Sequence, residues 1–141
     1  TKGGNNIQYL HASPVCKAFS GAHNGKPVTE EEMLRDMNFA DSVNRVATMT
    51  QPAVMTIENV PQYLTSEPYK KIKNYLTTLG YTLDEGVYNS ADYGAATSRK
   101  RLIVRAVKGG MTIPPRPAHK ERTSWKERIL DFIDRNMLVP W

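Results

Sequence analysis
Apolar and polar positions alternate with changing period along this chain. Ile7 to Ser13 is a brief apolar run of β character, and the Ser, Gly, Asn and Pro residues from Ser20 to Val28 predict a loop after it. Thr29-Glu30-Glu31-Glu32 reads as a capping box. A hydroxyl there caps free amides, a glutamate follows three residues on, and acidic residues suit the helix dipole. Behind it Met33, Met37, Ala40, Val43 and Ala47 recur at helical spacing until Pro52 stops the helix. Ala53 to Ile57 is a short apolar run after a helix, the pattern of a buried parallel strand, and Glu58 follows it.

Thr65 or Ser66 can cap the next helix, with Pro68 in its first turn and Gly80 as its stop. Tyr69, Ile72, Leu76 and Leu79 form its inner face, while Lys70, Lys71 and Lys73 fall on solvated faces. Tyr81 to Ser90 and Arg101 to Val107 predict two strands joined as a hairpin through Asp92-Tyr93-Gly94. After Gly109-Gly110 the segment Ile113 to Pro117 is extended, and Ser124 with Glu127 caps a last amphipathic helix through Trp125, Ile129, Phe132 and Ile133. This succession predicts an α/β sheet, mostly parallel with an antiparallel edge hairpin and with helices on its faces.

Composition narrows the class. A chain of 141 residues is one domain's worth. Its formal net charge is +5, gathered in Arg99 to Arg105 and Arg116 to Arg128, which points to a polyanionic partner. The single cysteine excludes an internal disulfide framework and fits a reducing compartment. No apolar run approaches a membrane span, and Thr1 to Asn6 lacks the features of a signal peptide. The chain is read as soluble and cytoplasmic or nucleoid-associated, and its opening Thr1 as the start of a fragment or a processed chain. No metal site is read from the sequence.

Two positions carry candidate chemistry. Cys16 sits at the carboxyl end of the first strand, where open α/β sheets place their sites, and Lys17 and Lys26 flank it. Positive charge favours the nucleophilic thiolate, although a free cysteine is as often a small buried hydrophobe. Glu58 ends an inner strand, where an unpaired charge is costly and function is the simplest account.

Pro14-Val15-Cys16-Lys17-Ala18-Phe19-Ser20, then Ile57-Glu58-Asn59-Val60, then Tyr93-Gly94-Ala95-Ala96-Thr97-Ser98-Arg99-Lys100-Arg101 resemble, in order, three signatures of the DNA (cytosine-5) methyltransferases. These are the Pro-Cys loop, the Glu-Asn-Val element and the Gln-x-Arg-x-Arg element. The resemblance implies part of a Rossmann-like methyltransferase domain: residues 1–117 as a catalytic portion and 118–141 as a linker and helix toward a recognition region. It implies methyl transfer from S-adenosylmethionine to C5 of a cytosine flipped out of double-stranded DNA. Cys16 would add to C6 as nucleophile, and Glu58, an acid of raised pKa in a shielded site, would act at N3. Arg99 and Arg101 would hold the base's carbonyl oxygen and the backbone phosphates. Lys17, Ser20, Arg45 and Arg99 are the residues expected on DNA, with Arg45 near the target base.

The chain departs from that pattern. Val15 separates Pro14 from Cys16, Lys17 replaces a glutamine, and Thr97 stands where the first residue of Gln-x-Arg-x-Arg belongs. Neither Gly3-Gly4 nor Gly109-Gly110 forms the strand, glycine turn and helix that would cradle the cofactor, so its binding residues are unknown. The expectation is a catalytic core inactive alone, a fragment or one subunit whose complementary chain carries the cofactor site, from a restriction-modification type of enzyme. Two other readings stand beside it. One is a non-catalytic DNA-binding remnant, and the other a cysteine hydrolase using His11 or His23 as base.

Overall fold
Alternating elements follow from the alternating pattern. A computed structural model describes residues 7–19 and 27–136, the last six by backbone alone. In chain order these form β1 (Tyr9–Ala12), α1 (Glu30–Thr50), β2 (Val54–Asn59), α2 (Glu67–Thr78), β3 (Tyr81–Asn89), β4 (Lys100–Lys108) and α3 (Trp125–Asn136). Short 3-10 helices lie at Lys17–Phe19, Pro61–Thr65 and Ser90–Tyr93. The expected loop through Ser20 and Lys26, with His23, and the lead-in of residues 1–6 lie outside the described residues.

The strands form one mixed sheet in the order β1-β2-β4-β3. β1 runs parallel to β2, with Tyr9 opposite Val54 and Ala12 opposite Ile57. β4 runs antiparallel to β2, from Val54 opposite Val107 to Asn59 opposite Leu102. The hairpin therefore supplies the antiparallel part, and its second strand lies inside while β3 takes the edge. A parallel pair needs a long crossover, such as α1 provides between β1 and β2.

The chain divides into two units, Thr1–Val87 with Arg101–Pro114, and Tyr88–Lys100 with Pro115–Trp141.

In the first unit, strand periodicity sorts side chains by face. Met55, Ile57 and Asn59 lie opposite Ala106, Val104 and Leu102, and all six are buried. Ala40 and Ala47 of α1 and Tyr69, Ile72 and Leu76 of α2 join this core, so among the described residues both helices cover that one face. Burying one such Ile or Leu contributes about 1.5–3 kcal/mol. The other face carries partly exposed Thr56, Glu58, Arg101, Ile103 and Arg105.

The helix caps form as their sequences dictate. Thr29 and Glu32 make the reciprocal capping box of α1, and Ser66 rather than Thr65 caps α2 through the Tyr69 amide at 3.2 Å. The inward stripe of α1 differs from expectation. Its buried residues are Asp36, Ala40, Asn44 and Ala47, with Met33, Met37 and Val43 only half-buried beside them.

In the second unit, Asn89 and Ser90 brace the hairpin tip. The Arg99 amide donates to Asn89 Oδ1 and to Ser90 Oγ, each at 3.1 Å. The Lys120 amide donates to the Asp92 carbonyl at 2.8 Å, and Arg122 Nε donates to Asp92 Oδ1 at 2.7 Å. Tyr93 meets His119 edge-on at 5.3 Å, and Arg116 lies over the Tyr88 ring at 5.7 Å. Ser124 and Glu127 cap α3 reciprocally.

Candidate active site
The strand β2 extends through Glu58 and Asn59, so two adjacent residues at its carboxyl end point to opposite faces. Each receives part of the segment that follows β1. On the core side, Asn59 Nδ2 donates to the Pro14 carbonyl at 2.9 Å and Oδ1 accepts from the Val60 amide at 2.8 Å. Those two bonds orient the amide and leave Oδ1 facing the sulfur, and the Cys16 thiol donates to it. In this arrangement the sulfur carries its proton.

On the other face, Ser13 Oγ donates to Glu58 Oε2 at 2.6 Å, and Arg101 Nε lies 2.9 Å from Glu58 Oε1. Glu58 and Arg101 remain 28% and 26% exposed, so both can meet a ligand, and the shielding expected of Glu58 is partial.

The electrostatics oppose the expected activation of the thiol. Burial pushes the Cys16 thiol up from its ordinary value, and the charges of Asp36 and Glu58 push it further, against the Val60 amide, which favours the thiolate. Cys16 sits among carboxylates, whereas two nearby lysines were the expectation. Lys26 lies outside the described residues, and Lys17 is exposed in the 3-10 helix after the cysteine.

Arg99 is exposed in the second unit, its backbone held by Asn89 and Ser90. Arg45 is exposed on α1 and lines an open groove of about 540 Å³ with Asp41, Thr48, Lys71 and Tyr75. Among the described residues no contact joins Arg45 to Cys16, Glu58 or Arg101. Ser20 lies outside the described residues. His11 Nδ1 is 2.8 Å from Thr56 Oγ1 while the Cys16 partner is Asn59, so the cysteine-hydrolase pairing with His11 is not formed.

Ser13, Asn59 and Asp36 were not assigned roles from the sequence. Asn59 and Ser13 border the motif residues, which was a usable signal. Asp36 gave none, because a lone aspartate in a helix ordinarily faces water.

The described residues do not fit a nucleotide-type cofactor cradle. Their positive-φ glycines are Gly80 after α2, Gly94 in the hairpin tip, and Gly109 and Gly110 after β4. None of these joins the carboxyl end of a strand to the start of a helix, which is where a pyrophosphate or nucleoside is usually held. A cavity of about 240 Å³ at the end of β1 is lined largely by apolar side chains, Phe39, Val43 and Val46 among them.

The chain matches the sequence model of the C-5 cytosine-specific DNA methylases over residues 2–137, and it belongs to that family. It is 32% identical over 104 residues to the type II methyltransferase M1.BsuMI of Bacillus subtilis, covering 72% of this chain and 23% of that protein. It is 33% identical over 131 residues to M1.HphI of Haemophilus parahaemolyticus, covering 89% of this chain and 34% of that one. The chain thus spans between about a quarter and about a third of the length of these relatives. Its fold is similar to that of the Entamoeba histolytica methyltransferase EhMeth, with a TM-score of 0.60 at 21% identity, over 82% of this chain and 37% of the other.

Proposed function
We propose that this chain is the nucleophile-bearing portion of a DNA (cytosine-5)-methyltransferase of the restriction-modification type. The observation that carries the reading is the meeting of the Cys16 segment with Glu58 and Arg101 at the carboxyl end of β2. The Cys16 sulfur, once deprotonated, adds to C6 of a flipped-out cytosine and makes C5 nucleophilic. Glu58 gives up its Ser13 partner and, in its acid form, donates its proton to the ring N3 as the sulfur adds to C6, while Arg101 holds the Glu58 side chain in place. Arg99, Lys17, Ser20 and Arg45 are assigned to double-stranded DNA, as the family resemblance implies.

S-adenosylmethionine supplies the methyl group in this reading. Its binding site is assigned to another portion of the enzyme or a complementary chain, and this chain alone is expected to be inactive. A cytoplasmic place follows from the same reading.

The test supplies the remaining portion of a related enzyme together with DNA containing 5-fluorocytosine. A covalent adduct that is lost in Cys16→Ala supports the enzyme. Salt-sensitive DNA binding without any adduct, unchanged in Cys16→Ala, supports instead a DNA-binding remnant of the scaffold.

A further inference from the structure
A buried carboxyl group beside the nucleophile has no part in the chemistry above. Asp36 is wholly buried on the inward face of α1. Its Oδ2 accepts from the Ala18 amide at 3.3 Å, two residues after Cys16. Its Oδ1 has no hydrogen-bond partner among the described residues, and Arg35 Nε stands off at 3.9 Å. Burying a carboxylate with one amide bond is costly, and an apolar residue would pack the same position at less cost.

The position of this group explains its presence. The Lys17–Phe19 turn touches the protein interior through Ala18, and its amide is what Asp36 holds. The Phe19 amide in turn donates to the Cys16 carbonyl at 3.2 Å, so the turn and the cysteine move as one unit. Cys16 is thereby clamped from two sides, by Asn59 of β2 at its sulfur and by Asp36 of α1 through its turn.

We propose that Asp36 is a positioning residue for Cys16, its carboxylate fastening the turn behind the nucleophile to helix α1 and bringing a negative charge near the sulfur. Its role in methyl transfer rests on the function proposed above, while its hold on Cys16 does not. The charged and titratable groups around the pair, among the described residues, include Lys17 next to Cys16, Arg35 and Glu32 on α1, Glu58 on β2 and Tyr63 on the Pro61–Thr65 turn. Burial pushes the Asp36 carboxyl up, opposed by the Ala18 amide and Arg35.

Cys16 is the only cysteine of the chain, so alkylation by iodoacetamide reads this one sulfur. Asp36→Asn keeps the acceptor and the volume but removes the charge. In a variant of native circular dichroism, the pH midpoint of alkylation is expected to fall by about half a unit or more, roughly threefold faster labelling at pH 8. An unchanged midpoint overturns the proposal. Should Asp36→Asn not fold, hydrogen exchange on the unaltered chain decides. The Ala18 amide is expected to exchange at least tenfold more slowly than in an unstructured peptide, and exchange at the peptide rate overturns the proposal. In the assembled enzyme, Asp36→Ala, which removes the acceptor for the Ala18 amide, is expected to lower kcat severalfold with KM for DNA unchanged. If the unaltered enzyme forms no adduct, the proposed function fails while the alkylation result still decides the role of Asp36.

Discussion

Arg101 reaches Glu58 on the diagonal of the β2/β4 ladder. The register sets Glu58 opposite Ile103, and Arg101, two residues further along on the same face, closes to 2.9 Å. Diagonal neighbours on one face of an antiparallel pair are within reach of long side chains. The carboxylate is therefore aimed by a strand register as well as by its own rotamer, and Ser13 completes the hold from the β1 side.

A double-mutant cycle on this pair measures the diagonal contact. With both groups about a quarter exposed, Glu58→Gln and Arg101→Ala are expected to couple by about 1 kcal/mol in urea unfolding at low salt. The coupling should shrink as ionic strength rises. Strict additivity of the two substitutions would show that the pair is not formed in solution.

Asn59→Ala removes three hydrogen bonds at once, those to the Cys16 thiol, the Pro14 carbonyl and the Val60 amide. The site is buried, so the loss is expected to cost about 2–3 kcal/mol. Chemical denaturation checks the magnitude, and a cost below about 0.5 kcal/mol contradicts the clamp described here.

Tyr63→Phe should behave in the opposite way. The Tyr63 hydroxyl is buried without a hydrogen-bond partner among the described residues, and its ring packs edge-on against Phe19 at 6.3 Å. Burial also pushes its hydroxyl far up in pKa, so it stays neutral. Removing an unsatisfied donor while keeping the ring is expected to leave the thermal midpoint unchanged or higher. A fall of several degrees would reveal a partner for the hydroxyl.

Glu85 gives the fold an acid-sensitive contact. Burial alone would raise its carboxyl, but the Tyr69 hydroxyl and Lys73, at 3.0 Å, outweigh it and hold the group below its ordinary 4.5. A depressed folded value contributes stability above about pH 4.5, and that contribution is lost as pH falls through the folded value. Tyr69→Phe is expected to cost about 1.5–3 kcal/mol at pH 7, where the carboxylate is charged. The deficit against the unaltered chain should narrow below pH 4, and urea titrations at pH 7 and pH 3 compare the two. A deficit that is the same at both pH values would assign the loss to packing.

Local sequence decided the elements and their order. The Thr29 and Ser124 capping boxes, the Ser66-x-Pro68 helix start, and the switch from period 3.6 to short apolar runs all rest on interactions between near neighbours in the chain. Such interactions are written in the residues that make them. Family membership was legible for the same reason, since its motifs are contiguous.

Tertiary structure decided what those neighbours face. Whether β3 or β4 lies beside β2, which of Glu58 and Asn59 turns to the core, and that Asp36 rather than Met37 is buried on α1 all depend on register and helix rotation. A shift of one residue in a strand, or about a quarter turn of a helix, reverses each of these while leaving the local pattern intact. The carboxylates around Cys16 come from β2 and α1, 42 and 20 residues away in the chain. Only packing brings them to the sulfur, so the two lysines next to it in sequence were a poor guide to its charge.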